Sequence, residues 1–439
     1  MGILTKAKIW CKSQLFQIKK GGKKSILSKF NKIFFYFVIL FLCILYFPLF
    51  LMIRMTSKYY LIRFGEVPSR RIGHFIIDVN LYLYNLKKTS FKSYDFFYTE
   101  KPVSNYALLN LFKRHILVYP KFLIYPFSML NKINYLGNQK HNILLNEFYS
   151  GHDLRLEKDN EQNINLFNKI DIEFGNSFLN SLGISSYDKF VCFLCRDEEY
   201  YKHLFSKTYD LNFTLYGDDS KFRNTNINNF ELVCEYLVKN GYYIFRMGEK
   251  VSRPFSINDK RYIDYAISGM RTEFLDLFLA ANCEFFLSTG SGIDSITRIF
   301  NKPRVRVSNA RIAYIDTTYK KDLCLPKHFY DKRKKKKLSL EEFFDYGLST
   351  LTKDEEFKKK NIILNDSTPA EIKNATIEMV ELIENNFEMT AERQFLERKF
   401  WNIFKKKMKE HKLEHLHNNY FASHTSISYL KENKHFLSN

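Results

Sequence analysis

Several signatures are absent from this sequence of 439 residues, and each absence removes a class of chemistry. There is no Asp-x-Asp to hold a divalent cation on a loop after a strand, and the adjacent Asp218-Asp219 is a poor substitute. No metal ligand is assigned, and no cofactor. No glycine-rich run ends in Gly-Lys-Ser/Thr, and no Gly-x-Gly-x-x-Gly occurs, so nucleotide hydrolysis and dinucleotide redox chemistry lose ground. Seven cysteines at irregular spacing make no disulfide framework. Cys192 and Cys195 imitate a CxxC motif but lie in the apolar run KFVCFLC (189–195), where a strand sends residues three apart to opposite faces.

Acidic residues are scarce in two stretches, and this locates the net charge of +21. Residues 1–71 hold fourteen Lys/Arg against Glu66 alone, and Lys327–Lys337 hold seven against Asp331, contributing +13 and +6. The rest of the chain is close to neutral. A nucleic-acid binder spreads basic residues over a folded face with aromatic platforms. Here the charge flanks an apolar segment and fills one loop, which fits an anionic membrane surface and argues against nucleic acid.

The apolar segment, Ile33–Ile53, has no charge in twenty-one residues and contains Pro48. It is long enough to cross about 30 Å of hydrocarbon, and it begins too far from the N-terminus for a simple signal peptide. It reads as a membrane-anchoring helix. Nine lysines precede it, and Arg54, Lys58, Arg63, Arg70 and Arg71 follow. Basic residues on both flanks give the positive-inside rule little purchase. Two topologies stand: a single span, or a re-entrant or interfacial helix with both ends cytoplasmic.

Beyond the anchor, β-α-β-α-β alternation is expected: strands at 59–65, 94–100 and 114–120, with helices at 72–86 and 105–113. A polar connection follows over about 138–170. The pattern then resumes with strands at 189–195, 242–246, 261–265, 283–288 and 303–307, and helices near 227–239, 272–281 and 293–300. This predicts an α/β protein of two Rossmann-like, doubly wound domains. The expected divisions are 1–57 (basic N-terminus and membrane segment), 58–165, 166–366, and 367–439 (C-terminal helices and a basic tail that packs or touches membrane). Thr368-Pro369-Ala370-Glu371 reads as a capping box with proline at the first helical position.

In open α/β sheets, ligands bind outside the carboxyl ends of strands. There the sequence places Arg196-Asp197, Arg246, and Ser288-Thr289-Gly290-Ser291-Gly292 before a helix. Small residues let a backbone approach a phosphate, and a helix start offers N–H groups; a tight turn that merely suits glycine is the alternative. A side chain at Gly292 is expected to intrude on that space. Arg196, Arg223 and Arg246 are candidates to stabilise a leaving diphosphate without a metal. Asn224, Asp264 and Asp294 are further candidate donor contacts, Asp294 alternatively serving the helix dipole. His74, between the first strand and its helix, is either the base for an acceptor hydroxyl or a residue packed at a helix start.

The strings IRFGEVPSRRIGHF (62–75), CRDEEYY (195–201), KFRN (221–224), GYYIFRMGEKV (241–251), IDYA (263–266), the run 276–305, LPK (325–327) and FW (400–401) resemble a family of bacterial glycosyltransferases of surface-polysaccharide gene clusters. The chain is similar, more distantly, to heptosyl- and fucosyltransferases of the GT-B fold. The resemblance implies an acceptor domain over 58–165, a nucleotide-sugar donor domain over 166–366, and a glycan or glycolipid acceptor. It also implies no metal; the basic-flanked segment and the need to reach nucleotide-sugar donors set the expected place at the cytoplasmic face of the bacterial inner membrane. Cys195 stands where histidine is expected, and Lys221 precedes Phe222-Arg223-Asn224 without the more usual polar pair. A non-catalytic, membrane-associated component of envelope polysaccharide assembly is the alternative, which needs no phosphate-binding glycines.

Overall fold

The computed structural model describes residues 3–88, 93–133, 139–145, 165–208, 221–316, 319–384, 388–417 and 421–438. Most of the polar connection expected over 138–170, and Asp218-Asp219, lie outside them. The chain divides into two compact units. The first is Met1–Arg71, Tyr82–Glu147 and Tyr201–Gly217; the second is Ile72–Leu81, Phe148–Tyr200 and Asp218–Asn439.

In the first unit, helix α1 (Ile3–Met55) is broken at Gly22, whose φ of 51° is left-handed. Strand β1 (Leu61–Val67) leads into α2 (Ile72–Lys88), which gives its first ten residues to the second unit. Then come β2 (Ser93–Thr99), α3 (Tyr106–Phe112), β3 (Leu117–Val118), α4 (Lys121–Asn131) and β4 (Asn142–Ile143). The sheet order is β3-β2-β1-β4, every pair parallel. Sequence reasoning missed β4, because two residues inside a polar, asparagine-rich stretch carry no period.

The second unit contains α5 (Lys169–Ser181), β5 (Phe190–Leu194), α6 (Glu199–Thr208, only its first two residues in this unit), α7 (Glu231–Lys239), β6 (Tyr243–Arg246) and β7 (Tyr262–Ile263). It continues with α8 (Glu273–Asn282), β8 (Phe286–Ser288), α9 (Ser295–Ile299), β9 (Arg304–Asn309) and β10 (Asp322–Pro326). With β14 (His424–Thr425) from the C-terminal segment, the main sheet runs β14-β10-β9-β8-β5-β6-β7, all pairs parallel. Numbered in order of appearance from β5 to β10, this is 3-2-1-4-5-6 read from the β7 edge, the doubly wound Rossmann order. Strand order reverses between β5 and β8, and the crevice outside their carboxyl ends is the switch point where such sheets bind ligands. The expected α/β class and parallel, Rossmann-like sheets are therefore present.

A second, antiparallel sheet was not anticipated. It joins β11 (His328–Asp331), β12 (Lys336–Lys337) and β13 (Ile362–Asn365), with α10 (Leu340–Asp345) and α11 (Asp354–Lys359) between. The basic loop at 331–337 is thus a hairpin end. The capping box at Thr368 opens α12 (Pro369–Ile383): Thr368 Oγ1 accepts from the Glu371 N–H at 3.2 Å, and Glu371 accepts back from the Thr368 N–H at 2.8 Å. The tail forms α13 (Ala391–Glu410), β14 (His424–Thr425) and α14 (Ile427–Glu432). Phe400, Trp401, Phe404, Tyr429 and Phe436 share one core with Phe193, Val305 and Leu325. Its apolar face packs in the protein.

Candidate functional site

Parallel strands with a common direction deliver their exits to one sheet edge, so the register Leu194↔Ser288↔Arg306 brings three loops together. At the end of β5 the Arg196 N–H donates to Thr289 Oγ1 at 2.9 Å, stitching the two sides of the switch point. The Arg196 side chain, 9% exposed, donates from Nε to Asn224 Oδ1 at 3.3 Å. Asn224 is fixed in turn, since its carbonyl accepts from Lys327 Nζ at 2.6 Å and that ammonium also pairs with Asp366. The neighbouring Cys195 thiol donates to the Thr225 carbonyl at 3.1 Å, and burial pushes its pKa up, so it stays a neutral thiol. Cys192 is buried as well, and neither forms a disulfide.

The glycine loop is organised by Asp294, which is wholly buried. Its Oδ2 accepts from Ser288 Oγ at 2.7 Å and from the Ser291 N–H at 3.1 Å, while Oδ1 accepts from Arg306 Nη2 at 3.0 Å. The Gly290 N–H donates to Ser288 Oγ at 3.0 Å and the Thr289 N–H to the Leu194 carbonyl at 3.2 Å. Three backbone donors expected to face an anion therefore have partners within the protein. The helix expected at 293–300 is a 3₁₀ turn, Gly292–Asp294, followed by the five residues of α9. So short a helix sums few peptide dipoles, and positive charge at this edge comes chiefly from side chains.

Those side chains are arginines. Thr289, Gly290, Ser295, Arg223, Arg298, Arg306 and Arg311 line a cavity of about 170 Å³, with Asp316, Tyr314 and Ile77 also on its wall. Gly290 has φ +83°, a conformation that L residues with side chains rarely take, and its carbonyl accepts from Arg223 Nη2 at 2.9 Å. Arg298 lies 3.4 Å from Asp316, and the Arg311 guanidinium sits 4.3 Å over the Tyr314 ring. Beneath them Arg304, fully buried, pairs with Asp316 and Asp322. Five guanidiniums (223, 298, 304, 306, 311) and three carboxylates (294, 316, 322) gather here.

Of the sequence-derived candidates, Arg223, Thr289 and Gly290 line this cavity. Ser288, Ser291 and Asp294 support its loop, and Arg196 with Asn224 brace the adjoining strand end. Gly292 does something different: a Cβ there would come within 3.0 Å of the Gly73 nitrogen and of Ile72 Cγ2. The glycine lets the first turn of α2 pack backbone to backbone against the loop, so the expectation that a side chain here enters the anion space does not hold. His74 follows Gly73, half-exposed, with Nδ1 3.8 Å from Asp78 Oδ2. Arg246 and Asp264 pair with each other at 2.9 Å, and Arg246 Nη1 also donates to the Arg253 carbonyl. At 2% exposure Arg246 closes the loop after β6.

Sequence reasoning missed Arg298, Arg306 and Arg311. The available signal was Arg304 and Arg306 two apart in the otherwise apolar strand PRVRV, since burying guanidiniums requires a prepared set of partners. Among the described residues, no group of three or more His, Cys, Asp or Glu is placed to hold a metal ion.

No protein-family model matches the sequence, and no curated protein matches it. Solved structures do. The chain is similar to the iron-containing dodecameric glycosyltransferase TibC of enterotoxigenic E. coli at 12% identity, over 60% of this chain and 65% of that one, TM-score 0.31. It thus spans just under two thirds of that relative's length. It is similar to the E. coli ADP-heptose lipopolysaccharide heptosyltransferase II at 12% identity, covering 56% and 84%, TM-score 0.29. A glycosyl transferase family 9 structure from Veillonella parvula matches at 11% identity, covering 74% and 98%, TM-score 0.39. These likenesses are to bacterial heptosyl- and other glycosyltransferases at low identity, and the chain's own strand order is that of a Rossmann-like parallel sheet.

Proposed function

We propose that the chain is a glycosyltransferase that moves a sugar from a nucleotide-diphosphate donor to a surface-polysaccharide or lipid-linked glycan acceptor without a metal. The observation that carries this reading is the convergence of Arg223, Arg298, Arg306 and Arg311 on one cavity beside Gly290, at the switch point of a Rossmann-ordered sheet. The donor diphosphate lies against these arginines. An acceptor hydroxyl attacks the anomeric carbon, the bond from that carbon to the diphosphate oxygen breaks, and the nucleoside diphosphate leaves with the electron pair. Fixed guanidiniums meet the growing negative charge with little reorganisation. Arg196, held by Asn224, adds charge at the neighbouring strand end, and His74 takes the acceptor proton. The segment Ile33–Ile53 attaches the enzyme to the inner membrane at its cytoplasmic face, where nucleotide sugars are.

Thermal stabilisation by a panel of nucleoside diphosphates tests the donor site, since a ligand bound to the folded state raises apparent stability by mass action. The reading expects at least one diphosphate to raise Tm and its sugar conjugate to be turned over. Stabilisation without transfer of any sugar favours the non-catalytic assembly component; no stabilisation removes the donor site.

A further inference from the structure

Composition alone makes the second part of α1 long and apolar enough to cross a membrane, over Ser25–Lys58. Its packing within the first unit says more. Ile39, Cys43, Phe50 and Ile53 fall on one face of the helix and are buried against Ile124, Phe127 and Leu130. The Tyr46 ring stacks on Phe127 at 5.2 Å, and the Cys43 thiol donates to the Pro126 carbonyl at 3.7 Å. Arg54 Nη2 donates to Asn131 Oδ1 at 2.6 Å, closing the far end of the contact. α4 is itself fixed to the sheet, with Phe127 stacked on Phe64 of β1 at 4.7 Å. The opposite face, including Leu40, Phe41, Ile44, Leu45 and Met52, is exposed and carries no charge.

Length decides between crossing and lying flat. The contact with α4 runs from Ile39 to Arg54, sixteen residues or about 24 Å at 1.5 Å per residue. Only Ile33–Val38 remains of the apolar run before Lys32 and Lys29, about 9 Å, whereas crossing takes about 20 apolar residues. A span would therefore draw the α4 contact into hydrocarbon. With it would go Lys121 at the start of α4 and Glu66 of β1, 3.4 Å apart, and the Arg63–Asp95 pair across β1 and β2. Ionised groups at that depth are costly. Lying in the bilayer plane, the same helix puts its exposed apolar face among acyl chains and leaves those charges on the aqueous side. Lys23, Lys29 and Lys32 at one end and Lys58 at the other then meet a single anionic surface. Tyr59 and Tyr60, both exposed just past the helix, suit the headgroup level.

We infer that α1 is a monotopic attachment: Ile33–Ile53 lies in one leaflet, α4 is its protein-side partner, and both helix ends stay on the same side. This rests on the membrane attachment proposed above and is independent of the transfer activity. The test uses the full chain in bacterial membranes, with Lys23→Cys and Lys58→Cys made separately in a Cys11→Ser background, the six remaining cysteines being buried. A membrane-impermeant maleimide is applied to spheroplasts and to inverted vesicles. The inference expects both sites to label in the same preparation; labelling from opposite sides, or recovery of the chain in the soluble fraction, overturns it. Protease added to spheroplasts carrying the unsubstituted chain with an N-terminal epitope tag gives an independent reading. Protection of both the tag and the folded body is expected, and loss of one alone means a span.

Discussion

The ends of β6 and β8 both carry arginine chemistry, and they are built in opposite ways. At β6, Arg246 is almost fully buried, and its donors go to Asp264 and the Arg253 carbonyl, so the guanidinium holds a loop. At β8, Arg223 and Arg306 reach the glycine loop from two sides and still border an open cavity. An arginine at a strand end is thus no guide to function until its partners and its remaining exposure are known. A closed pair contributes to the fold; an open cluster of guanidiniums is suited to an anion.

Substitution separates the two regions. Arg246→Ala leaves the Asp264 carboxylate, only 11% exposed, without its cation, and loss of one partner of a largely buried pair costs up to about 3–5 kcal/mol. Denaturant titration should show that loss, while the fraction that remains folded binds nucleotide as before. Loss of nucleotide binding in stable Arg246→Ala protein would move this arginine into the donor site.

Gly292→Val is expected to act in the same way, through the fold. Its side chain meets Gly73 and Ile72, and overpacking of this kind costs about 1–3 kcal/mol. A lowered Tm is expected; an unchanged Tm with abolished nucleotide binding would restore the sequence-based reading of this position.

Glu371 offers a control whose partners, His328, Thr368 and Asn433, belong to neither cluster. Burial alone would raise its pKa, but hydrogen bonds from His328, the Thr368 N–H and Asn433 hold it at about 2, against 4.5 ordinarily. Because the folded-state value is depressed, its stabilisation is fully present above pH 4.5 and is lost as pH falls toward 2. Glu371→Gln should lower stability by about 1–3 kcal/mol at neutral pH and flatten the acid limb of a Tm-against-pH curve. A parallel downward shift, with the acid limb unchanged, would show that this carboxylate is not the group responsible.

The smallest expected effect is none: turnover should survive EDTA. A strict requirement for Mg²⁺ or Mn²⁺ would mean that the arginines do not carry the leaving-group charge alone.

How much of this was legible depended on whether a feature is local. The parallel alternation, the burial of Cys192 in β5 and of Cys195 just past its end, and the Thr368–Glu371 cap each follow from short-range period or spacing, and each is present. Features formed by distant pairing were not legible. Asp294 reads as a donor contact or a residue for a helix dipole, yet three donors from residues 288, 291 and 306 converge on it. Similarly, the buried Glu378 accepts from Ser426 Oγ and from the Ile427 and Ser428 N–H groups, which binds the C-terminal segment into the second unit. Lys336–Lys337 pairs as a strand although nothing in a lysine run suggests one, because the antiparallel neighbour Tyr330–Asp331 supplies the order. At the glycine loop, the sequence reading rests on backbone donors that the fold already uses.

The central claim is that the arginine-lined cavity beside Gly290 holds the donor diphosphate. Calorimetric titration of the most stabilising nucleoside diphosphate into wild type and Arg223→Ala tests it most directly, because Arg223 lines the cavity and its loss removes one charge-assisted contact. Such a contact is worth about 1.5–3 kcal/mol. The account predicts a Kd weaker by about tenfold to a hundredfold in Arg223→Ala with Tm nearly unchanged; wild-type affinity in the folded variant would contradict it.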